Sequence, residues 1–198
     1  NVQSSVTWLW RTSSTGTVES TFAIHVSNNV NALVLQPDGK ILMSGYNAYG
    51  YPFLSRYNSD GSFDATISAI SGDVRALALQ PDGKIIIGGN FTLNNGNGTT
   101  LNRVARLNAD FSLDNTFNVG TGANNILYAL VLQPDGKVLI GGNFTTYNGT
   151  TRNRIARLNG YTPCTPITTN ISGSFCTGGF YYYNGIAVSE AGQWSIPY

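Results

Sequence analysis

The chain has 198 residues and a net charge of +1, from 11 Lys and Arg against 10 Asp and Glu. This length is enough to bury a sizeable core, and the near-neutral charge argues against a nucleic-acid partner, which would need a basic face. The sequence contains no run of about 18 apolar residues, so we predict no direct membrane insertion. A single histidine and two cysteines argue against metal clusters and histidine-based triads. The abundance of Gly, Asn, Ser and Thr favours an all-β protein of short strands and many turns, outside the cytosol.

The first predicted elements are two strands, Trp8–Arg11 and Val18–Phe22. They align with the third and fourth strands of the repeated unit that follows them, so the chain is expected to begin part-way through a unit. His25 lies in the apolar segment after the second strand. We interpret it as a packed strand residue rather than a base.

A motif that occurs three times then dominates the chain. Residues 32–45 read Ala-Leu-Val-Leu-Gln-Pro-Asp-Gly-Lys-Ile-Leu-Met-Ser-Gly, and the pattern returns at 76–89 and 129–142. The aspartates of the three motifs are 44 and 53 residues apart. A period of this length is typical of a four-stranded propeller blade, and no segment shows the 3.6-residue period of a helix.

Each unit is predicted to contain four strands. The apolar run forms the first strand, and Pro-Asp-Gly turns the chain because Pro presets φ near −65° and Gly accepts a positive φ. The apolar residues after the turn form the second strand, ending in small residues that allow close backbone approach. The predicted third strands contain Leu54–Tyr57, Val104–Leu107 and Ile155–Leu158, and the predicted fourth strands are Phe63–Ile67 and Leu113–Phe117.

The charged residues recur at equivalent positions, which favours an architectural role over a catalytic one, since a catalytic site needs to occur only once. Arg suits bidentate pairing with carboxylates, so we expect the aligned arginines to bind the aligned acids or backbone carbonyls; a phosphate- or sulfate-binding ring is the alternative. The aligned residues are the turn aspartates Asp38, Asp82 and Asp135, the strand acids Glu19, Asp64 and Asp114, and the arginines Arg11, Arg56, Arg106 and Arg157.

The loops between the second and third strands vary most: Tyr46–Phe53, Thr92–Asn102 and Thr145–Asn153. Repeat architectures place such insertions on one face, often the binding face. Tyrosine rings among amides and hydroxyls suit neutral glycans, and solvated loops with local turns are the alternative. The candidate ligand-binding residues are Tyr46, Tyr49, Tyr51, Asn95, Asn97, Tyr147 and Asn148.

The residues predict no catalytic group, no metal site and no cofactor. The one exception left open is calcium, because Asn58–Asp64 carries oxygen donors at alternate positions. The copy at 108–114 lacks the glycine of that segment.

The motif LxLQPDGKxxxGG, followed by RxARLNxDGSxDxTF, resembles the delta-sixty type β-propeller repeat over residues 1–160. The repeat pattern divides these residues into a partial blade at 1–24 and units at about 25–67, 68–117 and 118–160. The resemblance implies a place in a large exported bacterial protein, as an adhesive or scaffold portion without known catalysis. Either Val18–Phe22 completes the last unit or the chain is a piece of a longer array, which we favour.

Residues 161–198 are predicted to be a linker and a second β module, with strands at 167–172, 179–183, 186–188 and 194–196. The stretch from Phe175-Cys176 through Tyr181-Tyr-Tyr-Asn-Gly to Trp194 is similar to short Ig-like repeats in surface proteins of type-IX-secreting bacteria. In an exported protein, a Cys164–Cys176 disulfide is favoured over two free thiols. A redox cysteine is the alternative, although no basic neighbour would activate it.

Three functions therefore compete. The leading hypothesis is a non-enzymatic extracellular scaffold or adhesin segment whose unpaired blade edges meet other segments or subunits of a surface assembly. The second is a glycan-binding module that uses the tyrosine-bearing loops. The third is a propeller-type polysaccharide enzyme, for which Asp73 would be the candidate acid because it lies outside the aligned positions.

Overall fold

The computed structural model describes residues 7–26, 29–67, 70–94, 96, 98, 100–159, 181–183 and 186–188. Within these ranges the chain is all β, as predicted, and its strands form antiparallel sheets that follow the repeat. None of the described residues forms a helix that could cross a membrane.

The strands group into four blades, named here in chain order. Blade 1 contains β1 (Thr7–Thr12) and β2 (Val18–Val26), and blade 2 contains β3 (Asn29–Leu35), β4 (Ile41–Tyr46), β5 (Pro52–Tyr57) and β6 (Phe63–Thr66). Blade 3 contains β7 (Ile70–Leu79), β8 (Ile85–Asn94) and β9 (Thr100–Leu107). Blade 4 contains β10 (Leu127–Leu132), β11 (Val138–Gly142) and β14 (Ile155–Leu158), with a small hairpin of β12 (Thr146–Tyr147) and β13 (Thr150–Thr151) inserted before β14.

Blade 2 confirms the predicted four-stranded unit, because its strands pair in the order β3-β4-β5-β6. The pairing register joins Leu42 to Arg56 and Arg56 to Ala65, so the arginine of the third strand lies between the second and fourth strands. Blade 1 confirms the two strands predicted at the start of the chain, which pair as a hairpin. The backbone of His25 belongs to β2; the predicted packing of its side chain lies outside the described structure.

The Pro-Asp-Gly turn closes as predicted. In blade 2 the Gly39 N–H donates to the Gln36 carbonyl at 2.9 Å, and Gly39 has a φ of 82°. The same closure recurs at Gly83 and Gly136 with φ values of 80° and 79°. The turn aspartates accept the N–H of the lysine two residues later, at 3.0 Å for Asp38 and 3.1 Å for Asp82 and Asp135.

The prediction of a full fourth strand at Leu113–Phe117 is wrong. Only Leu113 pairs with the third strand, through an isolated bridge to Leu107. The Asp114 carboxylate accepts the Thr116 N–H at 2.9 Å and its hydroxyl at 2.6 Å, which turns the chain away from the sheet. Phe117 is thereby directed into the core, where it is buried.

Each blade has one face toward the preceding blade and one toward the following blade, since side chains alternate along a strand. Leu130 of blade 4 covers Gly88 of blade 3 so closely that a Cβ there would lie 3.2 Å from the leucine. One core cluster runs through blades 2, 3 and 4, and a smaller one joins Phe22 and Ile24 of blade 1 to Met43 of blade 2. The blades therefore stack face to face in chain order.

Two strands of the predicted second module are described. β15 (Tyr181–Tyr183) and β16 (Ile186–Val188) fall within the strands predicted at 179–183 and 186–188, and they pair antiparallel. The other predicted strands of this module, its Ig-like character and the Cys164–Cys176 pairing lie outside the described residues.

Candidate functional site

The aligned arginines of the first three blades fasten strands together. Their Nε atoms lie 2.5 Å from Glu19, 2.5 Å from Asp64 and 2.8 Å from Asp114, for Arg11, Arg56 and Arg106 respectively. Each acid comes from the segment that follows the third strand of the same blade. The pairing therefore ties the outer segment of each blade to its third strand.

Two of these arginines also reach the next blade. The Nη1 atom of Arg11 donates to the Ser59 carbonyl at 2.8 Å, and that of Arg56 donates to the Ala109 carbonyl at 2.5 Å. The guanidinium groups of Arg11, Arg56 and Arg106 lie 4.6–4.8 Å from the ring centroids of Phe22, Phe111 and Phe117. These contacts occupy the groups that would otherwise line an anion-binding ring.

The lysines after the turn complete the same network in blades 2 and 3. Lys40 lies 3.1 Å from Asp64, and Lys84 lies 2.8 Å from Asp114. Hydrogen bonds from Arg56 and then Lys40 lower the pKa of Asp64. Burial opposes the charged form of Asp114, but bonds from Lys84 and Thr116 outweigh it and lower the pKa of Asp114. Both carboxylates are therefore held ionised, as an architectural role requires.

Blade 4 breaks the pattern. Arg157, equivalent to the three paired arginines, is exposed, and Lys137 lies 2.5 Å from Asp135 of its own turn instead of from a strand acid. No Asp or Glu occurs between Asp135 and Glu190. The fourth blade therefore carries the two cations of the network without the acid that the chain supplies in blades 2 and 3.

Apolar positions that are covered inside the stack are open on blade 4 and on the part of blade 2 that the described strands of blade 1 do not cover. On blade 2, Leu33 and Leu35 lie on the face toward blade 1 and are 46 % and 66 % exposed, whereas their equivalents in blades 3 and 4 are half-buried. On blade 4, Val131 and Ile155 are 56 % and 62 % exposed. Their equivalents in blade 3, Ala78 and Val104, are 9 % and 0 % exposed because blade 4 covers them.

The candidate tyrosines of the first loop, Tyr49 and Tyr51, are exposed. The Asn47 side chain accepts the backbone N–H of each at 3.0 Å, which holds the loop in a closed turn with both residues near its tip. These two rings are available to a ligand.

Two of the remaining candidate loop residues make contacts within the protein, and two lie outside the described residues. Tyr147 packs against the main core, and burial raises the pKa of Tyr147. Asn148 accepts the Thr121 N–H at 3.2 Å and donates its own N–H to Gly122 at 2.8 Å, so it supports the neighbouring turn. Asn95 and Asn97 lie outside the described residues.

A polar cluster that the sequence did not predict crosses blades 2, 3 and 4. Asp73 is buried and forms an ion pair with Arg75, whose guanidinium lies 5.3 Å from the Tyr128 ring centroid. Burial is the main cause that raises the pKa of Tyr46, and the hydrogen bond with Asp73 raises it further. A departure from the repeat could have revealed this cluster. Arg75 and Tyr128 occupy equivalent positions of consecutive units, yet their side chains are unrelated.

The segment Asn58–Asp64 closes on itself. Asp60 accepts the Ser62 N–H at 2.9 Å and its hydroxyl at 2.7 Å, and Asn58 donates to the same hydroxyl at 2.9 Å. Across the described ranges, no group of three or more His, Cys, Asp and Glu side chains could hold a metal ion.

A comparison with protein-family models matches the three units. Residues 36–66, 80–117 and 133–160 fit a family described as a domain of unknown function (DUF5122) beta-propeller. The repeats are of the β-propeller type. The three propeller matches begin at the turns of blades 2, 3 and 4, where Gln-Pro-Asp-Gly-Lys recurs. No curated protein matches the chain.

Proposed function

We propose that this chain is a non-catalytic protein-interaction segment that binds further blades or subunits through its open blade faces, within a larger surface scaffold or adhesin. The observation that carries the proposal is the exposure of Leu33, Leu35, Val131 and Ile155 at positions that are covered inside the stack. In repeat proteins a terminal face that stays in water is normally polar. An apolar terminal face indicates that another surface covers it.

The contact between blades 3 and 4 is the template for this association. There the face of blade 3 that carries Ala78 and Val104 receives Leu130 of the following blade. The open face of blade 4 carries Val131 and Ile155 at the same positions, and blade 2 carries Leu33 at the position of Leu130. Burial of each such side chain contributes about 1.5–3 kcal/mol, so a head-to-tail contact has a sufficient apolar driving force.

The charged residues support a role without catalysis. The paired arginines and acids of blades 1 to 3 stabilise the strands, and Asp73, the candidate acid outside the repeat, forms an ion pair with Arg75. The resemblance of residues 1–160 to repeats of large exported bacterial proteins supports an extracellular location.

Self-association of the purified chain tests the proposal, because a second copy presents both complementary faces. We expect concentration-dependent association in sedimentation-velocity runs, and we expect Ile155→Glu or Leu35→Glu to abolish it by placing a charge in the contact. Tyr49→Glu is the control, since Tyr49 is even more exposed than Ile155 and Leu35 but lies on a loop. The proposal would be contradicted if the chain stayed monomeric at all concentrations. It would also be contradicted if Ile155→Glu, Leu35→Glu and Tyr49→Glu associated to the same extent.

Glycan binding is a second candidate, favoured by the exposed rings of Tyr49 and Tyr51. Aromatic rings stack on the apolar faces of neutral sugars, and the rigid turn fixed by Asn47 keeps both residues in place. We expect a hit on a neutral glycan array to be lost in Tyr51→Ala, with calorimetric titration as the quantitative measurement. The absence of binding at millimolar oligosaccharide would rule this candidate out.

A further inference from the structure

Among the described residues, the outer edge of blade 4 lacks the segment that covers the third strand in blades 2 and 3. In blade 2 the third strand β5 is covered on its outer side by β6, and in blade 3 the third strand β9 is covered by the bridge at Leu113. In blade 4, β14 pairs with β11 on one side, and no other described strand pairs with it. An open strand edge presents unpaired N–H and C=O groups to any extended segment.

The charges at this edge are complementary to a carboxylate. Arg56 and Lys40 share Asp64, and Arg106 and Lys84 share Asp114, so each fourth-strand segment contributes one acid to two cations. Arg157 and Lys137 occupy the same positions in blade 4, where Arg157 is exposed and Lys137 turns back to Asp135. The chain offers no acid in the 54 residues between Asp135 and Glu190.

A cleft lies along this edge. It has a volume of about 280 Å³ and is lined by Ala156, Arg157 and Leu158 of β14, together with Asn118, Tyr147 and Arg152. Its described lining contains two guanidinium groups and no carboxylate. The cleft therefore combines a mostly polar, positively charged lining with the apolar side chains of Ala156 and Leu158, beside an open strand edge.

We propose that the β14 edge binds an extended protein strand that carries one carboxylate, in the manner of the missing fourth strand. The partner strand runs antiparallel to β14, its carboxylate bonds Arg157 and Lys137, and the apolar residue three positions after the acid enters the cleft. The pattern follows this chain's own segments, Phe-Asp-Ala-Thr-Ile at 63–67 and Val-Glu-Ser-Thr-Phe at 18–22. Main-chain pairing supplies affinity and the acid supplies the register, as in other cases of strand addition.

This inference deepens the proposed interaction function and rests on it, because the ligand is a protein segment. The probe is a labelled synthetic peptide with the sequence of residues 61–67, and its control is the same peptide with Asp64→Asn. We expect saturable binding to the full chain by fluorescence anisotropy, and roughly ten-fold weaker binding of the Asn peptide, because it loses a charge-assisted bond. We also expect the affinity to fall with added salt.

Protein variants locate the site. Arg157→Met should weaken binding of the acidic peptide to the level seen with the Asn peptide. Arg11→Met is the matched control, because Arg11 already forms an ion pair with Glu19. Arg157 is exposed, so its replacement should leave the melting temperature unchanged, which a parallel scan checks. Equal binding of the two peptides, unchanged binding by Arg157→Met, or no binding at millimolar peptide would overturn the inference. Self-association that persists after any of these results would leave the open-face proposal standing.

Discussion

Replacing Arg106 with Met lowers the free energy of unfolding by about 3 kcal/mol, the cost expected when one partner of a buried ion pair is removed. Arg106 and Asp114 are both buried, and their Nε–Oδ2 distance is 2.8 Å. The variant loses this bond, the 3.1 Å contact with Thr116 and the stacking on Phe117. Asp114 keeps Lys84 as a partner, which limits the loss.

The repeat provides graded controls for this result. Arg56→Met removes a pair that is partly exposed, and Arg11→Met removes one that is more exposed still. Since solvent weakens ion pairs, the loss of unfolding free energy should decrease from Arg106 to Arg56 to Arg11. Urea denaturation followed by circular dichroism measures the series. Equal losses at the three positions would show that burial does not set the strength of the network.

Replacing Gly142 with Ala should lower the free energy of unfolding by about 3 kcal/mol, because overpacking against backbone forces the strands apart. A Cβ at this position would overlap the Ile126 carbonyl oxygen, at the bulge where β10 and β11 change register. The equivalent glycines, Gly45 and Gly89, meet the carbonyls of Asn29 and Asp73 in the same way. The restriction is thus a property of the blade.

The adjacent glycine is the control. A Cβ at Gly141 would have its nearest neighbour, Ala129, at 3.8 Å, which is an ordinary contact. Gly141→Ala should therefore change the unfolding free energy by less than about 1 kcal/mol, because the added methyl group meets no close neighbour and also restricts the unfolded chain. Thermal and urea denaturation of the two variants measure the difference in their free energies of unfolding. A Gly142→Ala chain as stable as Gly141→Ala would refute the close contact.

Local signals explain why the blade could be predicted in outline. Pro37, Asp38 and Gly39 form their turn through contacts within five residues, so the same letters produce the same closure at all three copies. The third strands and their arginines follow from the repeat alone. The fourth strand of blade 3 could not be predicted, because the bond between Asp114 and Thr116 competes with strand pairing and the aligned letters do not reveal which prevails.

The candidate sites depended on contacts between distant residues. The sequence marked Tyr147 as a ligand-binding residue, and the structure packs it against the core. The cluster of Tyr46, Asp73, Arg75 and Tyr128 escaped prediction because its members lie on three blades and meet only when the blades stack.

The sequence by itself determined the repeat, the all-β fold, the turn chemistry and the commitment of the few charges to recurring positions, because each depends on neighbours within one unit. Only the tertiary structure decided which glycine of each pair is indispensable, which arginines bridge to the next blade and which apolar faces stay open. The arginine bridges and the open faces arise between blades, and the glycine restriction arises at the bulge between two paired strands of one blade. The near-neutral charge, which argues against a nucleic-acid partner, conceals one local difference at the edge of blade 4, where Arg157 is exposed and Lys137 pairs with Asp135 of its own turn instead of with a strand acid.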